Sequence, residues 1–85
     1  MKEFDYKIKD KNGIHARPAG MLVKEVSKYN SKIIIKKDDK TVDARRLFAL
    51  MGISAKSGDT IRFFIEGDDE EEAAKNIKEF VSVNL

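Results

Sequence analysis

The apolar residues of this chain change their spacing several times between one end and the other, and that succession leaves few folds open. From Lys2 to Lys9, Phe4, Tyr6 and Ile8 alternate with Asp5, Lys7 and Lys9, the period of a half-buried strand. Asp10-Lys11-Asn12-Gly13 reads as a polar turn, in which Gly13 can supply a positive φ where the chain has to approach a ligand closely. From Ala16 to about Tyr29 the period becomes three and four. Ala19, Leu22, Val23 and Val26 then share one side, while Lys24, Glu25 and Lys28 fall on others, which predicts an amphipathic helix ended by Asn30-Ser31. Lys32–Lys37 is too short and too β-branched to prefer helix, so a second strand follows. Asp38-Asp39-Lys40 connects it tightly to Thr41-Val42-Asp43, and the two strands should form a hairpin.

Between Ala44 and Ile53 the spacing of Leu47, Leu50 and Met51 fits a short helix, with Asp43 as its N-cap and Gly52 as an early stop. If Leu47, Leu50 and Ile53 face the core, Phe48 and Met51 are left partly exposed beside Arg45 and Arg46; the pattern alone accommodates burial of all of them equally well. Ser57-Gly58-Asp59 turns the chain into the strand Thr60–Glu66, whose Ile61, Phe63 and Ile65 can face the helices. Gly67-Asp68-Asp69-Glu70-Glu71-Glu72 gathers acids at the start of a last helix, where they complement its dipole and need be no more than a solvated helix start. Ala73, Ala74, Ile77, Phe80 and Val81 give that helix its buried stripe. The order is β-α-β-β-α-β-α. An α+β fold with three helices on one face of an antiparallel sheet buries each apolar side once.

Eighty-five residues with no break in composition make one domain, spanning 1–85, with a core one layer thick. No cysteine is present, so neither disulfides nor thiolate metal sites can staple it, as suits a cytoplasmic protein. No apolar run approaches the ~20 residues of a membrane span, and the first residues lack a secretory pattern. Residues 1–62 carry 15 Lys/Arg against 8 Asp/Glu, and residues 63–85 carry 2 against 7. A basic body of this kind can attract nucleic acid or acidic protein surfaces. The aromatics sit at core-like periods rather than interleaved with basic residues, which makes nucleic acid the weakest reading and leaves no such partner expected.

The only histidine and the only proline stand together in Gly13-Ile14-His15-Ala16-Arg17-Pro18-Ala19-Gly20. Pro18 suits a first helical turn, so the helix should begin at Ala16 or just before it, with His15 at the N-cap and Arg17 in the first turn. Backbone N–H groups without intrahelical partners gather there, and the dipole is positive, so the position favours an anion. Arg17 adds a forked donor array suited to phosphate, and the neutral imidazole of His15 is a nucleophile. Gly13 and Gly20 leave room for approach. A metal centre fits poorly, since zinc takes about three or four protein ligands. No phosphate-binding glycine loop, nucleophile elbow or triad is visible, and neither cofactor nor metal is expected.

The run from Gly13 to Gly20 resembles the active-centre motif of the HPr family, the histidine-containing phosphocarriers of the bacterial phosphoenolpyruvate-dependent sugar phosphotransferase system. The similarity covers essentially the whole chain, including Asp43-Ala44-Arg45-Arg46-Leu47-Phe48-Ala49-Leu50-Met51-Gly52. It implies an open-faced β-sandwich of four antiparallel strands and three helices. It also implies a carrier, not an enzyme, in which His15 accepts a phosphoryl group as pros-phosphohistidine from phosphorylated enzyme I and passes it to the A domains of sugar permeases. Arg17 would clamp the phosphate, the backbone of Ala16 and Arg17 would bind it, and Asn12 and Gly13 would support the turn. Gly20, Met21, Lys24, Arg45, Arg46, Leu47, Phe48 and Met51 would form the docking surface. A carrier that meets several partners is most simply a monomer.

Two departures stand out. Many relatives have a serine where this chain has Arg46, which HPr kinase/phosphorylase modifies; Arg46 has no hydroxyl, so that switch should be absent. Relatives commonly have glycine at Ser54, and neither Ser54 nor Ser57 is an obvious substitute for the missing serine. The alternative function is therefore an HPr-like interaction protein that docks on regulators or metabolic enzymes without serine phosphorylation.

Overall fold

The computed structural model describes residues 1–85 as β1 (Lys2–Lys7), α1 (Ala16–Val26), β2 (Lys32–Lys37), β3 (Lys40–Asp43), α2 (Leu47–Gly52), β4 (Thr60–Glu66) and α3 (Glu70–Asn84), the expected succession. The strands form one antiparallel sheet in the order β1-β4-β2-β3. Register follows from the alternation. Tyr6 lies opposite Ile61, Phe4 opposite Phe63, Ile33 opposite Ile65, and Ile35 between Phe63 and Val42, so all these side chains share one face. The Phe4 and Phe63 rings stack with centroids 4.7 Å apart. All three helices cover this face. Ala19, Leu22 and Val26 of α1, Leu50 of α2, and Ala73, Ile77 and Val81 of α3 complete the core. Each Ile, Leu or Phe buried there contributes about 1.5–3 kcal/mol. The other face, with Asp5, Ile34, Lys36, Arg62 and Phe64, is uncovered, which makes the fold the open-faced α+β sandwich expected.

Several boundaries differ from the pattern reading. The β1 ladder stops at Lys7 rather than Lys9. Ile8 keeps the alternation and is buried, but its N–H donates to the Asp59 carbonyl and its own carbonyl accepts from Gly58, turning the strand end toward the loop before β4. Helix α1 ends at Val26, one turn short of Tyr29. The Ser27 hydroxyl donates to the Val23 carbonyl at 2.7 Å, and Lys28 and Tyr29 make tight bonds three residues back, so the chain unwinds before Asn30. β3 gains Lys40.

Helix α2 begins at Leu47, not Ala44, and its N-cap is Arg46 instead of Asp43. Asp43 caps a turn: its Oδ1 accepts the N–H of Arg45 at 2.9 Å and its carbonyl that of Arg46 at 3.0 Å. Gly52 is the last helical residue, not the stop. The residue that leaves the helix is Ser54, at φ +57. In α3 the fully buried stripe is Ala73, Ile77 and Val81 at strict four-residue spacing, and Ala74 and Phe80 are half-buried at its edges. The acids before α3 are more than a solvated run, since Asp69 and Glu70 both accept backbone N–H groups.

Candidate functional site

Gly13 decides where the loop before α1 lies. It has φ +67, and a Cβ there would sit 2.2 Å from the Ala55 carbonyl oxygen and 2.8 Å from Lys56 Cα. The close approach that requires glycine is thus to the chain's own backbone, on the loop after α2. The neighbouring N–H of Ile14 donates to the Ala55 carbonyl at 2.9 Å, and Ile14 is buried. That second loop is itself fixed. Asp59 accepts the N–H of Lys56 at 2.9 Å and pairs with Lys37 at 3.2 Å, and these contacts hold its carboxyl below the usual carboxylate range.

His15 follows at the N-cap of α1, in extended backbone and half-buried. Its carbonyl accepts the first helical bond, from Ala19 at 2.9 Å, while its imidazole does not cap the helix. Pro18 has no N–H, so the N–H groups of Ala16 and Arg17 are the unpaired donors of the first turn. The Arg17 side chain is exposed and enters no ion pair. An open depression of about 340 Å³ lies here, lined by Asp10, Asn12, His15, Arg17, Pro18, Met21, Val83 and Asn84. A histidine and an unpaired guanidinium lining one hollow, with the free N–H groups of Ala16 and Arg17 at the same helix start, can take up an anion and present it to a ring nitrogen.

Of the residues around this hollow, His15, Arg17 and Pro18 belong to the run singled out in the sequence, and the resemblance adds Asn12 as turn support and Met21 as a docking residue; nothing in the sequence pointed to Val83 or Asn84. The last two arrive through the packing of α3 against the β1–α1 turn, where the Leu85 carbonyl accepts the N–H groups of Lys9 and Asp10 at 2.7 Å each. Contacts between residues so far apart leave no trace in spacing. Asp10 belonged to a visible turn motif, closed by its Oδ1 on the Asn12 N–H at 2.8 Å.

Arg17, Met21 and Lys24 recur at spacings of four and three and lie on the outer side of α1, all exposed. On α2 and at its C-cap the structure decides between the two readings the spacing left open. Leu50 and Ile53 are buried, Leu47 and Met51 half-buried, and Phe48 is 84% exposed, with Arg46 exposed just before it. Gly20 is half-buried with open space where a Cβ would lie. Arg45 is placed differently: its guanidinium donates to the carbonyls of Tyr29 and Ser31, tying the α2 approach to the turn after α1. No cluster of His, Asp or Glu suited to a metal occurs, and no helix is long and apolar enough to cross a membrane.

Comparison with known proteins follows the same lines. Residues 2–82 match the family described as the PTS HPr component phosphorylation site. The HPr-like protein Crh of Halalkalibacterium halodurans is 40% identical over 81 residues, covering 95% of this chain and 96% of that protein. Phosphocarrier protein HPr of Borreliella burgdorferi is 40% identical over 74 residues, 87% of this chain and 86% of its own length. Among solved structures, HPr of Thermoanaerobacter tengcongensis superposes with a TM-score of 0.93 at 39% identity, over 99% of this chain and 94% of that one. Bacillus subtilis Crh, solved as a swapped dimer, superposes with a TM-score of 0.78 at 28% identity, over 100% and 98%.

Proposed function

This chain belongs to the HPr family of the phosphotransferase system, a family of phosphocarriers, and from that membership we propose that it carries a phosphoryl group on His15 from phosphorylated enzyme I to the A domains of sugar permeases. The observation that carries the reading is that His15 and the unpaired Arg17 side chain line one hollow at a helix start whose Ala16 and Arg17 N–H groups have no partner. The imidazole Nδ1 attacks phosphorus, the bond to the donor breaks as the P–N bond forms, and the three phosphoryl oxygens meet donors already in place. Transfer onward reverses these events on a second partner, and the chain ends unchanged, a carrier rather than a catalyst. Residues 1–85 act as one HPr-like domain, since a single cluster of 18 buried side chains runs through it. The exposed Met21, Lys24, Arg46 and Phe48, with Gly20, Leu47 and Met51 beside them, form the docking surface for both partners, its apolar centre rimmed by cations; Arg45 supports it from behind. The working form is a monomer in the cytoplasm, since one copy supplies every group named.

The test is incubation with enzyme I and phosphoenolpyruvate. An acid-labile phosphate on His15 is expected, with none in H15A; Arg17→Lys, which keeps the charge but loses the fork, should slow transfer by about tenfold or more. Absence of label on the wild-type chain, or equal label on H15A, overturns the reading.

The likeness to Crh favours a second reading, an interaction protein that docks on regulators or enzymes through the same face. Arg46 gives that face a permanent cation and no hydroxyl to phosphorylate. Partners retained equally by wild type and H15A, with no transfer between them, would establish it.

A further inference from the structure

One carboxylate stands among the residues that line the depression around His15 and Arg17, that of Asp10. The turn fixes it from several directions. Its Oδ1 accepts the Asn12 N–H at 2.8 Å, its carbonyl accepts the Gly13 N–H at 2.9 Å, and its own N–H donates to the Leu85 carbonyl at 2.7 Å. Asp10 is half-buried, and no cation of the chain pairs with it, Arg17 included. A polar turn did not require this arrangement: asparagine at the same position would accept the Asn12 N–H equally well.

A fixed negative charge at an anion site opposes the anion. With the free N–H groups and Arg17 alone, the hollow would favour the phosphorylated chain and hold back its transfer to the next partner. We propose that Asp10 is an electrostatic counterweight, destabilising the phosphoryl dianion on His15 so that the group leaves as readily as it arrives; the proposal rests on His15 being the phosphoryl acceptor. No further group takes part, since the P–N bond to His15 forms and breaks as before and only its equilibrium moves. For a carboxylate and a dianion lining one hollow, Coulomb's law in a solvent-rich dielectric gives a shift of that equilibrium of about three- to tenfold. The effect fades with salt, since the Debye length falls from ~10 Å at 0.1 M to ~3 Å at 1 M.

The experiment compares wild type and Asp10→Asn, which keeps the turn, at a fixed ratio of phosphoenolpyruvate to pyruvate with catalytic enzyme I. The fraction of phosphorylated chain is read at low and high salt, and thermal melting checks the fold. At low salt D10N should show a phosphorylation equilibrium about three- to tenfold more favourable, and at 1 M salt the difference should vanish. Chemical phosphorylation with phosphoramidate, which needs no protein partner, should give a phosphohistidine that D10N surrenders to pyruvate through enzyme I less completely. Equal equilibria at low salt overturn the proposal, as does slower labelling of D10N at an unchanged equilibrium, which would mark Asp10 as an orienting group. If phosphoramidate labels both chains and enzyme I labels neither, the carrier reading itself falls and this inference with it.

Discussion

Asp69, at the N-cap of α3, holds Ser31 twice, accepting its backbone N–H at 2.9 Å and its hydroxyl as well. The same carboxylate accepts the N–H of Asn30 at 2.8 Å, so the turn after α1 is fastened to the start of α3. Ser31 is the one fully buried polar side chain of the fold, and it is packed so closely that a Cβ on Gly67 would lie 2.6 Å from its hydroxyl oxygen.

Ser31→Ala leaves part of this carboxylate without its donor and should cost about 1 kcal/mol, measured by urea unfolding. The hydrogen bonds from Ser31 and then Asn30 hold the Asp69 carboxyl below the usual carboxylate range. Its folded value lies under its unfolded one, so it contributes stability above about pH 4 that is lost as pH falls toward the folded value. Asp59 acts in the same sense, held down chiefly by the Lys56 N–H and then by Lys37. Thermal midpoints should be flat above that pH and fall below it, and the fall should be shallower in Asp69→Asn.

Ser54 occupies the left-handed region at φ +57, where its Cβ is strained by about 1–2 kcal/mol and glycine is not. Part of that gain is offset by the greater freedom of glycine when unfolded. Ser54→Gly should therefore stabilise the fold by about 0.5–1 kcal/mol, a rise of a few degrees in Tm.

Gly13→Ala meets both obstacles, a positive φ and a backbone oxygen 2.2 Å from the new atom. It should cost about 2 kcal/mol or more and displace the loop that carries His15. Amide exchange of Ile14, whose N–H depends on the Ala55 carbonyl, should quicken, and labelling by enzyme I should drop with it.

Phe48 is too exposed to hold the core together. Phe48→Ala should change stability by less than about 0.5 kcal/mol. It should nonetheless raise the KM for transfer from enzyme I by about tenfold with kcat little altered, as expected of an aromatic anchor in a docking surface.

The element order, the sheet-facing residues and the helix start at His15 could all be read from the sequence, because each rests on a local period or on one residue's backbone chemistry. Pro18 and the alternation of Phe4, Tyr6 and Ile8 are examples. What escaped depends on partners distant in the chain. Asp43 looked like a helix cap until its bonds to Arg45 and Arg46 showed a separate turn, and Asp69 looked like one acid among several. The positive φ of Ser54 was equally hidden, since nothing in serine announces it. In the site, His15 and Arg17 were legible in their motif and Asp10 and Asn12 in the turn before it, whereas Val83 and Asn84 join them only through the docking of α3.

The sheet order also sets a timetable. β4 lies between β1 and β2 but is the last strand to be synthesised, so the β2–β3 hairpin is the only ladder that can form early, and β1 waits without a neighbour. Such non-local pairing slows folding. The loop bearing His15 hangs on the Ala55 carbonyl, and the turn before it on Leu85, so the hollow around His15 takes its shape only after residues as far along as Leu85 have been made.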